Sequence, residues 1–205
     1  MRQSTRRPPG PAAFYAALLH SIRCDFSPCA LPRPARSQLA NLTELNLWSN
    51  QLIGHIPDNL ARLAKLRDVN IYANALSGTI PWELGLMRGL VGFRAAHNQL
   101  SGTIPCIGSL GSLEALHLFN NKLSGGLELA ELGQLPRLQQ LDLANNELSG
   151  AVPPSLCAFV NRTKQNMTKS PMTCNLGGPA MKFSCPLPCG IGPAVCDAAC
   201  VPHYY

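Results

Sequence analysis

"LRDVNIYANALSGTIPWEL", residues 66–84, carries the run Leu-Ser-Gly-Thr-Ile-Pro at 76–81, and the same six residues return at 100–105. A phrase repeated at a fixed distance points to a chain that stacks copies of one unit. Asn74 of the quoted stretch has counterparts at Asn50, Asn98, Asn121 and Asn146, at successive intervals of 24, 24, 23 and 25 residues. Gly54, Gly78, Gly102, Gly125 and Gly150 keep those intervals. Each copy follows the pattern L-x-x-L-x-L-x-x-N-x-L-x-G-x-I-P, with Val69 and Ile71, or Phe93 and Ala95, in leucine positions and Glu128 in place of one proline.

The spacing has a physical reading. Alternating apolar residues such as Leu45 and Leu47 are the inward side of a short strand, and equivalent strands of neighbouring copies form a parallel sheet. An asparagine buried where the strand turns away can bond the backbone of the next coil and satisfy polar groups stranded in the core. The glycine and proline suit a convex side made mostly of turns. A period in the twenties with this wording is the signature of a leucine-rich repeat. The expected fold is an α/β-type solenoid, with a concave parallel β-sheet, five repeats of about 24 residues and a disulfide-rich C-terminal cap.

Leu-Ser-Gly-Thr-Ile-Pro after the asparagine resembles the plant-type extracellular repeats of receptor-like kinases, receptor-like proteins and polygalacturonase-inhibitor-like proteins. The resemblance runs from Leu39 to about Pro154. It implies an extracellular or cell-surface recognition module for a protein, peptide or glycan, with a co-receptor as a further partner and no cofactor. The alternative is a structural or enzyme-inhibitory wall protein. The chain departs from the family pattern in the "CDFSPC" segment at 24–29, which lacks the usual tryptophan, and in a larger cysteine-rich C-terminal stretch.

Three segments are expected: an N-terminal stretch at 1–36, the repeats at 37–156, and a cysteine-rich cap at 157–205. Their formal charges are +5, −2 and +3 when divided at residues 36 and 154. A nearly neutral middle offers no continuous basic face for phosphates, which argues against a nucleic-acid partner. Eight cysteines flank the repeats: Cys24, Cys29, Cys157, Cys174, Cys185, Cys189, Cys196 and Cys200. They read as disulfide-closed ends made in an oxidising compartment, although sequence does not choose the pairing. Zinc is the alternative for the last four, at spacings unlike the common ones. Cys106, inside the array, is expected to be a buried free thiol, with pairing to a second chain as the alternative. Sequons at Asn41, Asn161 and Asn166 fit an extracellular setting. Arg2, Arg6 and Arg7 ahead of "AAFYAALL" make a weak secretion signal. No run approaches the length of a membrane-spanning helix.

The residues that change between copies are the outward strand positions. The column after the second strand leucine holds Trp48, Tyr72, Ala96, Phe119 and Ala144. Rigid rings there are candidate anchors for a ligand. Between the two strand leucines stand Asn46, Asn70, Arg94, His117 and Asp142, and Glu44 and Asp68 share a third column. Trp48, Tyr72, Phe119, Arg94, His117, Asp142, Asp68, Glu44 and His97 make the candidate ligand-binding set. Asp142 beside His117 could orient an imidazole, but no serine or cysteine nucleophile stands near it, and the face is open to water. The sequence therefore indicates binding and no enzyme, with no metal site.

Overall fold

The computed structural model describes residues 41–127, 131–151, 153 and 156, together with three short strands further along. Each coil opens with a three-residue strand: β1 (Glu44–Asn46), β3 (Asp68–Asn70), β5 (Gly92–Arg94), β7 (Ala115–His117) and β9 (Gln140–Asp142). With β11 (Thr173–Asn175) they form one parallel sheet in chain order. The register matches the columns of the repeat, for example Asn46 with Asn70, Asn70 with Arg94, Arg94 with His117, and His117 with Asp142. The pairing of Glu44 with Asp68 is also as expected.

Each coil also carries a second strand: β2 (Ile53–His55), β4 (Ala75–Thr79), β6 (Gln99–Gly102), β8 (Lys122–Gly125) and β10 (Glu147–Gly150). These pair in parallel and continue into β12 (Lys182–Ser184) and β13 (Cys200–Val201). This corrects the expectation that the glycine-rich segment is mostly turns. One copy of it reads as a turn, but identical copies stacked side by side present matching N–H and C=O groups and bond into a ladder. Among the described residues, 3₁₀ turns follow the second strand at Asp58–Arg62, Trp82–Leu86 and Leu132–Gln134.

The core is a stack of aliphatic layers. Leu45, Leu47, Val69, Ile71, Leu116, Leu118, Leu141 and Leu143 are buried, as is the preceding column of Leu66, Leu90, Leu113 and Leu138. Each such side chain contributes about 1.5–3 kcal/mol relative to exposure. The third coil places Phe93 beside Ala95 where other coils have two mid-sized residues, and both are fully buried. A large and a small side chain together hold the volume that close packing requires.

The asparagines lock one coil to the one before it, not to the next as the sequence suggested. Asn98 Nδ2 donates to the Ile71 carbonyl of the preceding coil at 2.9 Å and to its own coil at Ala95 and Ala96, while its Oδ1 accepts from Leu76 N–H at 3.0 Å. Asn74, Asn121 and Asn146 repeat the pattern. Asn146 is buried at 1% exposure, whereas Asn98 is only partly buried. The residue before each asparagine is left-handed: Ser49, Ala73, His97, Asn120 and Asn145 all have φ of 53–54°. Asparagine tolerates that conformation; serine, alanine and histidine adopt it less readily.

The third coil is one residue short, and its segment from Cys106 folds back over Gly85. Ser109 Oγ donates to the Gly85 carbonyl at 2.5 Å, and a Cβ at Gly85 would stand 2.4 Å from the Cys106 carbonyl oxygen. Cys106 follows the Ile104-Pro105 pair, and the residues in the same place in the first two coils, Asp58 and Trp82, also face outward. Cys106 is an exposed free thiol, contrary to the buried state expected, with Sγ 3.4 Å from Glu131 Oε2.

Candidate ligand-binding face

The outward side of the first sheet brings the candidate residues together in two groups. The first is aromatic. In the third coil the column residue is Ala96, fully buried, and it leaves a gap between the rings of coils two and four. The left-handed backbone at His97 swings the imidazole into that gap. Its centroid lies 5.0 Å from Tyr72 and 5.0 Å from Phe119, edge-on to both, and the two flanking rings are 6.1 Å apart. Such edge-to-face contacts are favoured by the ring quadrupoles. Asn120 Nδ2 meets His97 Nε2 at 3.0 Å, and Asn145 donates to Asn120 Oδ1 at 2.8 Å. Trp48, 57% exposed, belongs to the same column but stands outside this cluster.

The second group is charged. Arg94 Nη1 donates to Asp68 Oδ1 at 2.7 Å and Oδ2 at 2.9 Å, with both side chains about one-third exposed. The pair runs diagonally between adjacent strands across Gly92. His117 lies beside Arg94 in register. Burial pushes its pKa below the ordinary 6.5, and the Arg94 guanidinium lowers it further, while Asp142 and a hydrogen bond with Gln140 pull the other way. Glu44 is exposed at the first strand. The carboxylate of Asp142 is turned partly to its own backbone, accepting from Ala144 N–H at 3.1 Å.

That last contact is part of a pattern the sequence did not reveal. Asn46 caps Trp48 N–H and Asn70 caps Tyr72 N–H, each at 3.2 Å, just as Asp142 caps Ala144. The scaffold therefore favours a short side chain with an acceptor in this column. Coils three and four give it up: Arg94 has no acceptor to offer and bonds Asp68, while His117 turns to Gln140. The two departures adjoin the aromatic cluster. Gly92, Asn120, Asn145 and Gln140 are the residues that sequence reasoning missed here.

Asn41 is exposed and receives a hydrogen bond from Lys65 Nζ at 2.7 Å. Asn161 and Asn166 lie outside the described residues, as do Cys24, Cys29, Cys157, Cys185, Cys189 and Cys196. The backbones of Cys174 and Cys200 belong to β11 and β13. Among the described residues no helix is long and apolar enough to cross a membrane.

A family model described as Leucine Rich Repeat matches residues 41–63 and 137–159. Solved structures extend the likeness across the array. A plant peptide hormone receptor, RGFR1 in complex with RGF2, is 30% identical with a TM-score of 0.61, over 75% of this chain and 23% of that one. The ectodomain of the receptor kinase GASSHO1/SCHENGEN3 from Arabidopsis thaliana, in complex with CASPARIAN STRIP INTEGRITY FACTOR 2, is 28% identical with a TM-score of 0.60, over 75% of this chain and 17% of that one. The BIR3–SERK2 complex from the same plant supplies a chain that is 32% identical with a TM-score of 0.55, over 71% of this chain and 72% of its own length. Against the first two, this chain spans a quarter or less of the receptor's length. No curated protein sequence matches it.

Proposed function

The chain belongs to the plant-type extracellular leucine-rich repeat proteins, and on that footing we propose that the outward, concave face of its first sheet is a non-enzymatic recognition surface for an extended peptide or protein segment. The observation that carries this reading is the loss of the backbone caps in coils three and four. A scaffold that places an acceptor side chain at Asn46, Asn70 and Asp142 carries arginine and histidine where the aromatic cluster lies. Residues that no longer serve the backbone, held in place by an ion pair and flanked by rigid rings, have the composition of interface anchors. Tyr72 and Phe119 would supply apolar contact area, and Arg94 and His117 would fix orientation through hydrogen bonds. Trp48, His97, Asp68, Glu44 and Asp142 would border the site.

Receptors of similar structure that are complexed with a peptide hormone or with a second protein support the same assignment. Extracellular placement, five repeats, a disulfide-rich C-terminal cap and a glycan on Asn41 belong to this proposal. So does a second protein as co-receptor.

Panning the secreted protein against a displayed library of short linear peptides tests it. Selected peptides should bind the parent and lose affinity when Tyr72 and Phe119 are both replaced by alanine. Peptides indifferent to that change but lost on altering the cysteine-rich tail would move the site off the sheet.

A further inference from the structure

A trough of about 920 Å³ runs across the first three coils where the second sheet passes into the 3₁₀ turns, and its residues belong to none of the first-sheet columns. One wall is the column His55, Thr79 and Thr103; the other carries Asp58 and Trp82, with Glu83 beside them. The first wall is built by the repeat glycines. A Cβ at Gly102 would stand 2.8 Å from Thr79 Cγ2, and one at Gly125 would stand 2.8 Å from Thr103 Cγ2. Each threonine thus rests its methyl group on the bare backbone of the following coil. Its hydroxyl is left for a partner outside, and both threonines are exposed. His55 lies over Gly78 in the same way, and its Nδ1 is tied to the Ser77 carbonyl at 3.0 Å, leaving Nε2 for the trough. Trp82 opens the turn Trp82–Leu86 with its indole 66% exposed.

We propose that this trough binds a neutral hexose oligosaccharide, with Trp82 as the stacking platform and Thr79 and Thr103 as hydrogen-bonding partners. Two features select that ligand. First, the lining pairs an exposed indole with hydroxyl, carboxylate and imidazole groups. That suits a ligand with apolar ring faces and hydroxyl edges. Second, Asp58 and Glu83 face the trough and no lysine or arginine lines it, which disfavours a polyuronate and leaves a neutral sugar chain whose hydroxyls can donate to the carboxylates.

Titration of the full chain with cellohexaose, followed by calorimetry and tryptophan fluorescence, tests the assignment. The parent should bind saturably and Trp82→Ala should weaken binding about tenfold or more, as expected of a lost aromatic anchor. Replacing Thr79 and Thr103 together by valine should weaken it several-fold, while Leu86→Ala, which removes a neighbouring exposed apolar side chain, should leave it unchanged. Circular dichroism on each variant checks that the fold is kept, and the threonine pair carries the test if the tryptophan variant does not fold. Absence of saturable binding by the parent, equal loss from Leu86→Ala and Trp82→Ala, or equal affinity for a polygalacturonate oligomer would each overturn the proposal.

Discussion

Arg94 grips Asp68 across a position that has no side chain: the ion pair spans Gly92, and a Cβ there would stand 2.5 Å from Asp68 Oδ2 and 2.7 Å from Arg94 Nη1. The glycine is outward-facing on a strand, where it costs conformational entropy and provides no packing. Its place is explained by the pair it admits. Gly92→Ala should therefore push the two side chains apart. The pair is one-third exposed, so its loss should cost no more than about 1 kcal/mol, and a double-mutant cycle with Arg94→Met and Asp68→Asn should return a coupling of that size in the parent and close to zero in the glycine variant. A coupling that persists in Gly92→Ala would show that the pair does not depend on the gap.

The asparagine ladder should be worth more than the ion pair. Asn98→Leu leaves Leu76 N–H without its acceptor and takes one of two donors from the carbonyls of Ile71, Ala95 and Ala96. Leaving buried backbone groups unpaired costs about 1–3 kcal/mol. Asn146 has the same bonds in a fully buried setting, so Asn146→Leu should destabilise at least as much as Asn98→Leu. Chemical denaturation of both variants checks the order; a reversed order would mean that burial does not set the cost.

Much of the scaffold was legible because repetition fixes register. Once Asn50 to Asn146 are aligned, every outward column follows, and the pairs Arg94–His117 and His117–Asp142 stand where the intervals put them. What was hidden depends on interactions between copies. A glycine-proline segment reads as a turn in isolation, and only stacking makes it β2, β4, β6, β8 and β10. The Arg94–Asp68 pair is diagonal and needs Gly92. His97 joins the aromatic cluster through a left-handed backbone that histidine alone does not announce. The exposure of Cys106 follows from its place after Ile-Pro, where Asp58 and Trp82 are exposed too.

That exposure should be measurable. Iodoacetamide added to the native protein without denaturant should modify Cys106 within the time needed to label a surface thiol, and peptide mapping should find the adduct there. Protection of Cys106 until the chain is unfolded would restore the buried state that the sequence suggested.

His117 makes the stability of the array depend on pH in a definite direction. Its folded pKa lies below 6.5, so the unfolded chain binds more protons than the folded one between the two values, and folding is favoured as pH rises through that window. On acidification stability should begin to fall near the unfolded value and level off below the folded one. Arg94 reinforces this and Asp142 opposes it. Comparing melting temperatures at neutral and mildly acidic pH, the parent should lose more than His117→Gln, which cannot titrate. Equal losses would assign the acid sensitivity to other groups.

The sharpest test of the binding face separates rings that share a column. Trp48, Tyr72 and Phe119 are equivalent by the repeat, yet only Tyr72 and Phe119 touch the wedge of His97, while Trp48 stands apart and exposed. An anchor contributes most when it is held rigid before the ligand arrives. Replacing Tyr72 and Phe119 by alanine should therefore cost about 2 kcal/mol or more of binding to a selected peptide, and Trp48→Ala clearly less. His97→Ala should lie between: it contacts both rings, so its loss should loosen them and weaken binding through disorder. That loosening should appear as increased mobility of the Tyr72 and Phe119 rings in NMR relaxation. The melting temperature should move little in all of these variants, because the rings lie outside the aliphatic core. If Trp48→Ala costs as much as the double replacement, exposed area and not preorganisation sets the affinity, and the cluster around His97 has no special part in recognition.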